Sequence, residues 1–164
     1  MKLQIGYKVI RVSPDNRLYS MVICDKRFKL EYKVGELIKP RAVGTKIMAF
    51  SSLAYATAFY EVEKNLNHSE GIARIYRAIL VNPQVLRRVF QVIQKPDGVK
   101  SGLYTCNMIS SLPDYNIVTR NWKKLLDGDE EIRYIQKHTI TSAPAGSLAC
   151  SQIQLIGEIT PSKL

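Results

Sequence analysis

The feature that most constrains the fold of this sequence is a strand–helix–strand unit in residues 44–83. The short apolar run Ile47–Phe50 predicts a strand, and the hydroxyls of Ser51 and Ser52 are typical N-caps for a following helix. Four apolar residues then recur every three or four positions: Tyr55, Phe59, Val62 and Leu66. This spacing predicts that these four side chains form the buried face of the helix.

A second strand follows the helix. Gly71 interrupts the helical period, and Ile72–Val81 is rich in β-branched and aromatic residues, which is typical of a strand. Asn82 and Pro83 end this strand, because proline has no N–H to donate to a sheet. The unit therefore predicts one helix packed on a sheet.

The residues before this unit predict antiparallel strands. Apolar and polar residues alternate over 3–9, so the first strand should bury the face that carries Leu3, Ile5, Tyr7 and Val9. A turn with Pro and Asn at 13–16 leads to a second strand over 17–24, and a third strand is expected over 30–34. Residues 37–40 predict an extended edge that ends at a proline.

The rest of the chain gives weaker patterns. Residues 84–95 fit an irregular or strand-like segment, 103–109 a strand, 118–126 a short helix and 148–159 a last strand. The acidic residues 129–131, followed by Lys137 and His138, favour the two ends of another helix, because these charges complement the helix dipole. The sequence thus predicts an α+β fold: a mainly antiparallel sheet, one central helix and one or two short helices.

Length and composition set further limits. A chain of 164 residues buries about two-thirds of its unfolded surface, so we expect one domain over residues 1–164 that needs neither metal nor disulfide. Cys24, Cys106 and Cys150 are predicted to be free thiols. No apolar run is long enough to cross a membrane, and the N-terminus has the pattern of a strand and not of a signal peptide. We therefore expect no membrane association and a cytoplasmic location.

Charge is the strongest indication of function. The net charge is +10, and residues 1–50 hold 11 Lys and Arg against 4 Asp and Glu. Such an excess favours nucleic acid, a nucleotide or an acidic protein as partner, although it also serves solubility. The candidate binding residues are the basic side chains in and around the predicted turns: Lys26, Arg27, Lys29, Lys33, Lys39, Arg41 and Lys46.

Catalytic and metal-binding motifs are largely missing. The Gly-Val-Lys-Ser-Gly segment at 98–102 does not match a phosphate-binding loop, because its glycines are not at the positions before the lysine that such a loop needs. The two histidines, without paired cysteines, give no metal site. We therefore predict no catalytic residue, metal or cofactor. One enzyme alternative rests on a similar order of residues: mono-ADP-ribosyltransferases of the bacterial toxin type carry an Arg, a Ser-x-Ser and a Glu, which Arg11, Ser51 and Glu158 resemble. Here the serines are adjacent, and Ile156 stands where that family has Gln or Glu.

A wider resemblance covers residues 5–83 and 144–159. It rests on the segments GYKVIRV, RLYSMVI, EYKVGE, GTKIMAFSSLAYATAF, RIYRAILVNP and PAGSLACSQIQLIGEI. Together these resemble small uncharacterised proteins of large DNA viruses and bacteriophages. The resemblance implies an accessory protein in the host cell or in the virus particle and brings no catalytic residues. The leading hypothesis is a non-enzymatic binding protein with a basic surface, and an assembly component of the particle is a second.

Overall fold

The computed structural model describes residues 1–21, 29–40, 46–65, 71–94, 105–110 and 135–159. These residues form a sheet-dominated α+β fold with a single helix among them, α1 (Leu53–Asn65). The strands in chain order are β1 (Leu3–Val12), β2 (Leu18–Ser20), β3 (Glu31–Tyr32), β4 (Leu37–Ile38), β5 (Ile47–Phe50), β6 (Ile72–Val81), β7 (Gln84–Val85), β8 (Arg88–Gln94), β9 (Thr105–Ser110), β10 (Ile135–Ser142), β11 (Ser147–Cys150) and β12 (Gln152–Ile159).

The larger sheet curls strongly around one core, and we call this curled sheet the barrel. Its strand order is β4-β12-β6-β1-β5-β11-β7, with β2 and β3 extending from β1, and among the described residues its edge strands β4 and β7 do not pair with each other. Strand β11 pairs with β5 and β12 pairs with β6, yet only Ser151 separates β11 from β12. Because β6, β1 and β5 all lie between β12 and β11 in the strand order, this one-residue connection requires a strongly curled sheet. The antiparallel pairing throughout confirms the predicted strand direction.

The strand–helix–strand unit is confirmed, with both strands at their predicted bounds. Strands β5 and β6 run parallel but do not pair, because each is antiparallel to β1 between them. The Ser52 hydroxyl accepts a hydrogen bond from the Tyr55 N–H at 3.4 Å and thus caps α1 as expected.

The buried face of α1 differs from the prediction. Phe59 is buried, but Tyr55 and Val62 are 45% and 61% exposed, and the helix packs on the sheet through Ala56 and Phe59. Apolar residues occur around most of this helix, so spacing alone did not single out one face. The small Ala56, fully buried, allows a close approach of helix and sheet that a larger side chain at this position would prevent.

The outcome for β1 is also mixed. The alternation predicted one buried face with Leu3 and Ile5, but these side chains are 56% and 42% exposed. Further along the strand both faces are buried, because Lys8 and Ile10 point into the barrel while Val9 lies under α1. Barrel closure and the position of the helix decide burial here, and neither is visible in the alternation.

The second half of the chain contains a smaller antiparallel sheet in the order β10-β8-β9. The strands predicted within 84–95 and 103–109 are confirmed as β7, β8 and β9. The helix predicted to end near Lys137 and His138 is wrong at that end, since both residues lie in β10. The Ile and Thr residues of β10 favour a strand, and this strand pairs with β8. The helix expected over 118–126 lies outside the described residues.

Two cores hold the barrel and helix together. The barrel interior contains buried side chains from six strands, with Ile10, Tyr76 and Leu80 among them. The outer core lies between α1 and the strands and includes Val9 and Phe50. The interior is tightly packed: a Cβ added at Gly6 would stand 2.4 Å from a Leu80 methyl carbon, so this position requires glycine.

Candidate binding surface

A cluster of cations and an aromatic ring lies on the ribbon formed by β2 and β3. The Lys29 ammonium stands 4.1 Å from the centre of the Tyr19 ring, within range for a cation–π interaction. The Arg17 guanidinium is hydrogen-bonded to the Tyr19 side chain, which raises the pKa of Arg17, and pairs with Asp15 at 3.3 Å. We call Arg17, Tyr19 and Lys29 the ribbon cluster. It presents two cations on either side of one phenol.

The candidate basic residues from the sequence fall into three groups. Lys29, Lys33 and Lys39 lie on the strands β2 to β4 or next to them and are at least partly exposed. Lys46 is half-buried at the start of β5, close enough to Cys150 for its charge to oppose the effect of burial, which raises the pKa of that thiol. The remaining three lie outside the described residues: Lys26, Arg27 and Arg41. Two of these three, Lys26 and Arg27, precede Lys29 in the segment that joins β2 to β3.

The ion pairs on this surface are exposed and therefore weak. The Lys33 ammonium and the Glu36 carboxylate are 3.6 Å apart with side chains 68% and 58% exposed, and Arg17 and Asp15 are each 60% exposed. Such exposed pairs contribute little to stability, because water and salt screen them. A phosphate can therefore replace these carboxylates at little cost, so pairing in the free protein does not remove these cations as ligand contacts.

Two cations of the basic N-terminal segment are not on the surface at all. Arg11, 2% exposed, lies on the face of β1 that α1 covers, and Lys8, 7% exposed, points into the barrel. The buried Glu63 of α1 lies on the helix face towards the same side of the sheet as Arg11. The surface excess of positive charge is thus smaller than the sequence count.

Lys8 is a polar group that the sequence pattern did not identify. Its ammonium donates a hydrogen bond to the Met48 carbonyl at 2.6 Å and lies 5.9 Å from the centre of the Tyr32 ring. Opposite it, the Cys150 thiol donates to the Ile47 carbonyl at 3.1 Å. Side chains from inside the barrel therefore donate hydrogen bonds to carbonyls on both edges of β5.

The barrel interior shifts the titration of these groups. Burial lowers the pKa of Lys8 to about 8, although the nearby Cys150 partly opposes the shift. Burial raises the pKa of Cys150 to about 12, against the effect of Lys8 and Lys46, and also raises the pKa of Tyr32. A protonated thiol is a poor nucleophile. This interior group therefore has the chemistry of a structural network and not of an active site.

The three residues of the enzyme alternative do not come together. Glu158 pairs with Arg74 at 3.1 Å and stands opposite Tyr76, whereas Arg11 stands opposite Ala73. Residues 73 and 76 point to opposite faces of β6, so Arg11 and Glu158 lie on opposite faces of the sheet. The Ser51 N–H is bonded to the Gly146 carbonyl at the end of β5. These positions do not form a common cleft.

Within the described ranges, no group of three or more His, Cys, Asp or Glu residues is arranged to hold a metal ion. The helix in this part of the chain is not long and apolar enough to cross a membrane. The comparisons with family models, curated proteins and solved structures gave no match. The function must therefore be argued from the surface chemistry itself.

Proposed function

We propose that this chain is a non-enzymatic binding protein that engages nucleic acid through the ribbon cluster and the basic residues next to it. The observation that carries the proposal is the Lys29 ammonium held 4.1 Å from the centre of the Tyr19 ring, with Arg17 on the same phenol. Tyr19 is partly exposed, and cations beside an accessible aromatic are the usual composition of a surface that contacts phosphates and bases.

The position of the cluster supports the same proposal. The sequence between β2 and β3 adds Lys26 and Arg27, three and two residues before Lys29. Lys33 and Lys39 come later in the chain, and their exposure leaves them accessible to a polyanion. Because phosphate contacts contribute most of the affinity for nucleic acids, a group of lysine and arginine side chains suffices without a deep pocket.

The setting of this activity follows from the resemblance. The similarity over residues 5–83 and 144–159 supports an accessory role for the protein in viral or phage infection, in the host cytoplasm or in the particle. The separation of Arg11 from Glu158 supports binding over NAD chemistry.

A salt titration tests the proposal. The fluorescence anisotropy of labelled DNA and RNA oligonucleotides is followed with the full chain between about 50 mM and about 200 mM salt. Affinity should fall steeply over this range, because bound cations release counterions from the phosphates. Lys29→Ala and Arg17→Ala should each weaken binding. Each should also lower the slope of log affinity against log salt by about 0.7–0.9 for every phosphate that the variant no longer neutralises.

Lys64→Ala is the matched control. Lys64 is an exposed lysine on α1, 2.5 Å from Glu61, and lies outside the ribbon cluster. It should leave both affinity and slope unchanged. Absence of binding at about 50 mM salt, or an affinity that does not change by about 200 mM, rules out the proposal. Equal losses in Lys29→Ala and Lys64→Ala would show that only net charge matters and that the ribbon cluster is not the site.

A further inference from the structure

A second surface, separate from the ribbon cluster, lies on the outside of the barrel where α1 does not reach. Helix α1 packs on the part of β1 and β6 that carries Val9 and Ile75 and leaves the opposite ends of these strands open. We call this the uncovered face. Its apolar side chains are exposed or half-buried, and they are Leu3, Ile5, Leu37, Ile79 and Ile156.

The strand registers place these side chains in one continuous patch. Ile5 stands opposite Ile79, Ile79 opposite Gln154, and Gln154 opposite Leu37, so one row crosses four strands. Four strands span about 15 Å. Leu3 extends the row along β1, since residues two apart share a face of a strand. The Gln154 amide donates to the Gly35 carbonyl at 2.6 Å, which ties the polar member of the row to the barrel.

The charges next to this patch are positive. Arg77 is exposed on the same face of β6 as Ile79, and Lys39 follows β4 on the side of Leu37. Among the described residues neither of these two cations forms an ion pair. Two carboxylates of the described residues are engaged elsewhere, Glu36 with Lys33 and Glu158 with Arg74. The uncovered face is therefore apolar at its centre and basic at its rim.

We propose that the uncovered face is a docking site for another protein whose contact surface has apolar side chains bordered by carboxylates. An apolar patch with a charged rim is the usual composition of a protein interface. Charge selects the partner: a two-fold dimer would bring Arg77 and Lys39 of two copies to the same contact, with no unengaged carboxylate beside them among the described residues. Nucleic acid is disfavoured because the patch is aliphatic and offers no ring for stacking.

This proposal does not depend on the proposed function, because the two surfaces share only Lys39. The aliphatic row begins at Leu3 and Ile5 in the first half of β1, whereas β2, which carries Tyr19, pairs with residues 10–12 at the other end of β1. Both surfaces together would give an adaptor that holds nucleic acid on one side and a protein on the other. Each can fail in experiment without the other.

The test is selection from a random-peptide library on the immobilised full chain, with counter-selection on Leu3→Ser/Leu37→Ser. This double variant removes two exposed anchors without adding charge. We expect enriched peptides that combine apolar residues with Asp or Glu. Measured by anisotropy, their affinity should fall about tenfold or more in the double variant, and also in Arg77→Glu, since a central anchor contributes at least about 1.4 kcal/mol.

Val62→Ser is the matched control, because Val62 is 61% exposed on α1 and outside the patch. It should bind the selected peptides as the unchanged chain does, and circular dichroism should show all variants folded. The proposal is overturned if the selected peptides are basic or purely polar, or if they bind Leu3→Ser/Leu37→Ser as tightly as the unchanged chain. So does sedimentation that shows a dimer lost in the double variant, since the occupant is then a second copy. Binding to anionic phosphatidylglycerol vesicles that the double variant abolishes assigns the face to a membrane surface and likewise overturns it.

Discussion

Replacing the buried Lys8 by methionine should abolish a pH dependence of stability that the barrel interior creates. In the folded protein the pKa of Lys8 is about 8, against 10.5 for an unperturbed lysine. Between these two values the unfolded chain holds a proton that the folded chain does not. Because the unfolded state binds more protons there, the free energy of unfolding rises with pH in this window. Below about pH 8 both states are protonated, and the full cost of burying the charge remains.

The size of the effect follows from the two pKa values. Linkage gives a rise of about 1 kcal/mol between pH 7 and pH 9, and about 3 kcal/mol in total by pH 11. Cys150 acts in the other direction, because burial raises its pKa from 9.0 to about 12 on folding, and stability from the protonated thiol is lost as pH climbs through that range. By pH 9 this opposing effect is still smaller than that of Lys8. The Cys150→Ala background removes it and isolates Lys8.

The assay is urea denaturation at several values between pH 7 and pH 9 in the Cys150→Ala background. Lys8→Met should show no rise over this range, whereas the chain with Lys8 should gain about 1 kcal/mol. At pH 7 the two should be of similar stability, because relief from the buried charge is offset by about 1–3 kcal/mol for the Met48 carbonyl left without its donor. Lys2→Met, at an exposed lysine, is the control. An equal rise with pH in Lys8→Met, or a flat profile in the chain with Lys8, would refute the reasoning.

The remaining predictions concern the packing and the cap. Gly6→Ala should lower the free energy of unfolding by about 1–3 kcal/mol, since its methyl would collide with Leu80, and unchanged urea midpoints would contradict the close packing. Cys150 should react with iodoacetamide only after unfolding, because its raised pKa cuts the thiolate fraction about a thousandfold; peptide mass spectrometry measures this, and fast labelling of the native chain is the opposing result. Ser52→Ala should cost about 0.5–1 kcal/mol through loss of the cap, with Ser51→Ala as control; equal losses would assign the cap to neither hydroxyl.

Local patterns predicted the elements of this fold better than their burial. Both strands of the central unit have the expected bounds, and for Ile72–Val81 the flanking Gly71 and Pro83 leave few alternatives. The predicted face of α1 was right at Phe59 and wrong at Tyr55 and Val62, because these residues fit a helical stripe equally well and only the sheet decides which side is covered. The prediction of a helix end within Ile135–Ser142 was also wrong, because the acidic residues before it suggested a cap while the partner strand β8 supplies the pairing.

The candidate site shows the same division. Charge counting predicted a basic surface, and Lys29 and Lys33 are indeed accessible, but it included Lys8 and Arg11, which the fold buries. The alternation of polar and apolar residues in β1 predicted that the Lys8 side chain faces solvent. Only the closure of the barrel, which depends on pairing between residues a hundred positions apart, turns that position inward.

The one-residue connection at Ser151 also determines when the barrel can form. The hydrogen bond between the Ile47 carbonyl and the Cys150 thiol joins residues 103 positions apart. Until β11 and β12 have been synthesised, β5 lacks its neighbour β11 and β6 lacks its neighbour β12, and the exposed edges of β5 and β6 can pair with other chains. Such long-range pairing folds slowly. The pairing of β11 and β12 thus completes the sheet, and a newly made chain is most exposed to aggregation before these two strands pair.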